Sequence, residues 1–169
     1  MDRAELRALQ TPVREKYKAD PSSAWTPLRG EGTWGDDGIT CTVSTWAGPV
    51  RAGLHRATGG DGSDACSGDM LLQALVGCAG VTMRSVATAM GLELGEVVVV
   101  AESGFDARGT LGVDRSVEVG IGPVTLTATV DADLDDTARE RLATSTERYC
   151  VVAQSLRVPT TIAIVTRTA

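Results

Sequence analysis

From Leu71 to Met90 the chain reads LLQALVGCAGVTMRSVATAM, apolar nearly all round, with a narrow stripe at Gln73, Gly77, Gly80 and Arg84 as the exception. This pattern predicts a helix over about 69–90, buried as the central element of a fold. Ser67 is the expected N-cap, Asp69 suits the first turn, and Gly91 is a natural stop. Upstream, residues 3–18 carry apolar positions at helical spacing around Pro12, which predicts a kinked or broken charged helix. A linker, DPSSAWTP, follows, and then the period shortens. LRGEGTW (28–34) and ITCTVSTW (39–46) flank GDDG and predict an antiparallel hairpin, with VRAGLH as a third strand. Alternation along the second strand makes Cys41 a buried sheet residue. The glycine-rich stretch 56–69 is expected to be an irregular loop. Beyond Gly91, segments 96–108 and 116–132 alternate like strands of a long hairpin joined across GTLGVDR. Residues 135–150 follow as an amphipathic helix, VVAQSL as one or two further turns, and VPTTIAIVTRT as a last strand. The order β-β-β-α-β-β-α-β describes an α+β domain over 28–169, preceded by a helical extension and linker over 1–27.

Composition narrows the function classes. A net charge of −6, with 16 basic against 22 acidic residues, opposes nucleic-acid binding, which needs clustered cations to displace counterions. No signal-peptide pattern opens the chain, and Gln73 and Arg84 interrupt the longest apolar stretch, so a cytoplasmic protein with no membrane partner is the expectation. The three tryptophans, Trp25, Trp34 and Trp46, are expected to anchor a core or an interface. The loop 56–69 lacks the lysine and flanking strand of a phosphate-binding fingerprint, and no cofactor is expected.

Four cysteines, Cys41, Cys66, Cys78 and Cys150, lack the tight pairing of a structural zinc site. Cys78 lies beyond the first turn of its helix, so the helix dipole alone would not make it a thiolate. A permanent cation would, and Arg51 and Arg56 lie on the strand and loop leading to that helix. Cys150 falls where a new turn would begin, a place that favours thiolates. A buried cysteine and a second at a helix junction suit a two-thiol cycle, in which one attacks and the other resolves a sulfenic acid. The competing readings are a small core residue at Cys78 and a mixed site of Cys66, His55, Cys78 and Cys150 for a metal, although no pair has a short chelating spacing.

The segments GDMLLQALVGCAGVTMRSVA and ERYCVVAQSL resemble the two cysteine motifs of the OsmC/Ohr family over roughly residues 28–167. The resemblance implies antiparallel sheets wrapped around two central helices in an intertwined homodimer, with active sites at the subunit interface. It further implies reduction of organic hydroperoxides or peroxide, with Cys78 attacking and Cys150 resolving, and recycling by a dithiol reductant, the lipoyl type among the candidates. The family's activating arginine corresponds best to Arg56, with Arg51 as rival. The glutamate that orients it is replaced by Gly68, one residue before Asp69, which has a shorter arm. Cys66, near the helix start, offers another disulfide partner, and His55 is the sole histidine. CVV stands in place of CPV. The alternative function is a non-catalytic protein of the same fold holding an apolar small molecule in the dimer groove.

Overall fold

The structure is a computed structural model that describes residues 1–35 and 37–167. Asp36, within the expected GDDG turn, lies outside the described residues. The chain begins with α1, Arg3–Ala19. A reciprocal cap starts it, in which the Asp2 carboxylate accepts from the Ala4 and Glu5 amides and the Glu5 carboxylate accepts from the Asp2 amide. Pro12 does not break it. The Thr11 hydroxyl donates to the Arg7 carbonyl beside the proline, and the helix runs on for two more turns.

Four strands follow: β1 (Gly32–Thr33), β2 (Thr40–Thr45), β3 (Gly48–Gly53) and β4 (Ala65–Cys66), which form one sheet in that order. The first strand is far shorter than 28–34. The tight hairpin is β2–β3, turning at Trp46 and Ala47, with Gly48 at φ +125°. Cys41 is exposed rather than buried, and among the described residues no position of this four-stranded sheet is buried. The stretch 56–69 is also more regular than expected. It holds a 3₁₀ turn, Arg56–Thr58, and β4, which pairs in parallel with β3.

The central helix α2 runs Ser67–Met90, capped by Cys66 instead of Ser67 and ended by Gly91 in the left-handed conformation. β5 (Val97–Glu102), β6 (Val124–Val130) and β7 (Thr160–Thr166) form a second sheet. β5 pairs antiparallel with β6, as expected, over a shorter ladder. The connection is broken by Gly120, Gly122 and Pro123 and contains the short helix α3, Ala107–Thr110. β6 and β7 are parallel, and their crossover carries α4 (Asp136–Tyr149) and α5 (Val151–Ser155). Each sheet is therefore mixed, since a parallel pair closes it.

Two core clusters lie between this second sheet and the helices. One joins Met83 and Ala87 to Ala128, Val130, Leu142 and Ile164; the other joins Leu75 and Ala79 to Val124, Leu126, Cys150 and Ala153. The buried positions of α2, Leu75, Ala79, Met83 and Ala87, recur every fourth residue and mark one face. The expectation of burial all round fails, as Val81 on another face is 74% exposed. By length and composition α2 could cross a membrane, despite Gln73 and Arg84, a test that the central helix of a water-borne fold also passes. Among the described residues none before Leu75 is buried, and Trp25, Trp34 and Trp46 lie open to solvent. No tryptophan serves this chain's own core.

Candidate active site

Cys78 and Cys150 meet where α2 passes the joint between α4 and α5. Cys150 ends α4 and caps α5, and its Sγ accepts from the Ala153 amide at 3.5 Å. It is fully buried among Leu75, Ala79, Val124 and Leu126, with half-buried Cys78 packed against that cluster. The ERY-CVV sequence makes this joint because Cys150 takes an extended conformation, φ −77° and ψ 105°, between two helices. The chain thereby turns the first amides of α5 toward α2.

Those amides set the electrostatics. Burial pushes the Cys78 thiol up, but the Val152 amide, the Cys150 side chain, the Val151 amide and the Thr82 hydroxyl outweigh it, and the net shift is downward from 9.0. Cys150 shifts the other way. Burial raises it most, the Ala153 amide opposes this, and the neighbouring Cys78 raises it further. The sequence reading placed the favoured thiolate of this joint on Cys150 and sought a cation for Cys78. In the structure the joint's amides serve Cys78, and Cys150 is the proton-retaining member of the pair. All four cysteines are free.

The sign gives a test. A depressed Cys78 and a raised Cys150 mean that thiolate accumulates on Cys78 first as pH rises. The alkylation rate of Cys78 with iodoacetamide should climb with pH through a midpoint below 9.0, with Cys150 unlabelled over that range. Peptide mass spectrometry after timed quenching reads both. A Cys78 midpoint at or above 9.0 would contradict the shift.

The other expected residues lie on the segment before α2. Arg51, on β3, pairs with Asp64, its Nε 2.5 Å and Nη2 3.2 Å from the two carboxylate oxygens. Asp64 was not foreseen. It reaches Arg51 because β3 and β4 run parallel with Ala52 opposite Ala65, a register that hydrophobic alternation does not encode. Arg56 is exposed, and its guanidinium lies over Gly62, where a Cβ would collide with it. Asp69 is exposed in the first turn of α2. His55 uses Nδ1 to accept from the Ala57 amide at 3.0 Å and sets its ring edge-on to Phe105. Cys66 caps α2 three turns before Cys78, about 18 Å along the axis at 1.5 Å per residue. Within one chain the two sulfurs are therefore not brought together. Among the described residues no three His, Cys, Asp or Glu side chains are grouped to hold a metal ion.

A two-layered α+β chain whose central helix presents one thiol to a second, capped on a crossover helix, defines the class of protein. The model of the OsmC-like protein family matches residues 60–165. The solved structure of an organic hydroperoxide resistance protein from Legionella pneumophila shares the fold, with a TM-score of 0.66 at 19% identity over 84% of this chain and 98% of that one. An organic hydroperoxide resistance protein from Elizabethkingia anophelis, bearing a crystallant-derived thiocyanate, gives 0.67 at 15% identity over 84% and 99%. An OsmC-like protein from Mycoplasma pneumoniae gives 0.64 at 12% over 83% and 98%. No curated protein matches the chain. The chain belongs to the OsmC-like family.

Proposed function

We propose that the protein is a thiol peroxidase that reduces organic hydroperoxides or peroxide as a homodimer. The observation that carries the reading is the opposed pair of shifts at two touching cysteines, Cys78 down and Cys150 up. The Cys78 thiolate attacks the distal oxygen of the hydroperoxide. The O–O bond breaks, the alkoxide takes a proton and leaves as the alcohol, and Cys78 becomes a sulfenic acid. Cys150 then gives up its proton and attacks that sulfur, releasing water and forming a Cys78–Cys150 disulfide. A dithiol reductant restores both thiols and leaves as its own disulfide; a cytoplasmic setting would keep the resting pair reduced.

Attack on oxygen asks for a cation near the leaving group. Arg56 is the better candidate, because among the described residues it has no carboxylate partner, whereas Arg51 is held by Asp64. The second copy supplies what a single chain lacks. A four-stranded sheet without a buried residue and a central helix buried on one face expose far more apolar surface than a lone domain sustains. Val81, Trp34 and Trp46 are then anchors between copies.

Treating the reduced protein with one equivalent of cumene hydroperoxide and mapping disulfides by peptide mass spectrometry tests the cycle. A Cys78–Cys150 bond, formed as the peroxide disappears, is expected. Unconsumed peroxide over a reduced Cys78 would end the peroxidase reading and favour the ligand-binding one.

A further inference from the structure

α1 lies outside the family-matched residues and differs in charge from the rest of the chain. Of the chain's 16 basic and 22 acidic residues, Arg3–Ala19 holds 5 and 2, leaving 11 against 20 elsewhere. Arg3, Arg7, Gln10, Arg14 and Lys18 recur at helical spacing on one face. They line a groove of about 470 Å³ closed at one end by Ala89 of α2, with Glu15 as the lone acid in its wall. Arg14 donates to Gln10 at 3.1 Å, and among the described residues no basic side chain of α1 is paired with a carboxylate. Arg3 with Arg7 and Arg14 with Lys18 are like charges one turn apart, an arrangement that weakens a helix on its own.

Beside this face runs an apolar stripe, Leu6, Leu9, Val13 and Tyr17. Leu6 and Tyr17 are half-buried, while Leu9 is 61% and Val13 45% exposed. The helix is thus seated on its own chain by part of the stripe, and the rest is bare. The position of its start completes the argument. Met1 lines a groove of about 690 Å³ together with Gly77, Gly80 and Val81, the open face of α2. Whatever covers that face reaches the root of α1.

We infer that α1 is a clasp for the second copy, laying Leu9 and Val13 on it and setting the Arg3–Lys18 face against its acidic surface. The inference rests on the dimer proposed above. Its occupant is a chain whose surface beyond α1 is strongly acidic, which complements the cationic α1 and relieves its internal repulsion. The clasp is separate from the thiol chemistry, so its loss leaves the Cys78–Cys150 pair intact.

Sedimentation equilibrium on the full chain tests this with L9E/V13E, R7E/R14E and the charge-keeping R7K/R14K. All four residues are on an exposed helix surface, so the fold should survive, and circular dichroism checks that it does. The expected result is a dimer whose dissociation constant rises by about tenfold or more in the first two variants, the scale of an interface hot spot, and little in the third. It should also rise with salt in the native chain and respond less to salt in R7E/R14E. A native dimer equally tight in every variant overturns the clasp and leaves the peroxidase reading standing. A monomeric native chain overturns the clasp and the dimer it rests on, and leaves peroxide consumption by the Cys78–Cys150 pair to decide the peroxidase reading. Binding to phosphatidylglycerol vesicles that R7E/R14E abolishes, with no change in the dimer constant, would assign α1 to a membrane surface and overturn the clasp.

Discussion

Replacing Cys78 with serine should abolish hydroperoxide consumption, a fall of about a thousandfold or more, the scale on which removing a nucleophile acts. The hydroxyl is nearly isosteric, and Cys78 is half-buried against a well-filled cluster, so packing should survive. What is lost is the thiol whose pKa the Val152 and Val151 amides lower. Cys150→Ser separates the two roles. It should consume about one equivalent of peroxide per chain and then stall, with the sulfenic acid on Cys78 trapped by dimedone. Stopped-flow consumption and trapping together read the difference. If Cys78→Ser turned over like the native chain, Cys78 would be core filler. If instead it bound an apolar ligand as tightly as before and neither protein turned over, the groove-binding reading would take its place.

The second large effect falls on α2's open face. Val81→Glu places a charge on the surface that a second copy is proposed to cover. Truncating or charging a buried anchor costs an interface about 2–4 kcal/mol, or on the order of 10²-fold in the dissociation constant. The variant should sediment as a monomer at concentrations where the native chain is dimeric, and activity should fall with dimer population. Because Val81 is 74% exposed in the single chain, its helix content should not change. A Val81→Glu protein that remained a fully active dimer would move the interface elsewhere.

How far the sequence foretold this arrangement depends on the range of the interaction. α2, α4 and the turn at Cys150 were legible because their signals are local: apolar spacing along both helices and Gly91 as a stop. The pairing of Cys78 with Cys150 came from the family resemblance, and the amides that tune it follow from the extended Cys150, which a propensity argument does not see. Pairings between distant segments were not legible. β4 beside β3 and β7 beside β6 are parallel, and alternation carries no information on direction. Asp64, which depends on the first of these, was missed for that reason. The exposed Cys41 and tryptophans and the bare side of α2 share one cause. Hydrophobic pattern reports that a residue will leave water, without saying whether its own chain or another provides the cover.

The parallel union of β6 with β7 also orders events in time. β7 is synthesised after α4 and α5, and both helices, with Cys150, hang on the crossover that it closes. Contacts of such long sequence separation form late, after the entropy of closing the chain has been met. Until β7 has been made and has paired with β6, Cys78 has no amides from α5 to lower its pKa. The nascent chain would thus carry Cys78 as an ordinary thiol, and the proposed sensitivity to oxidant would begin with completion of the fold.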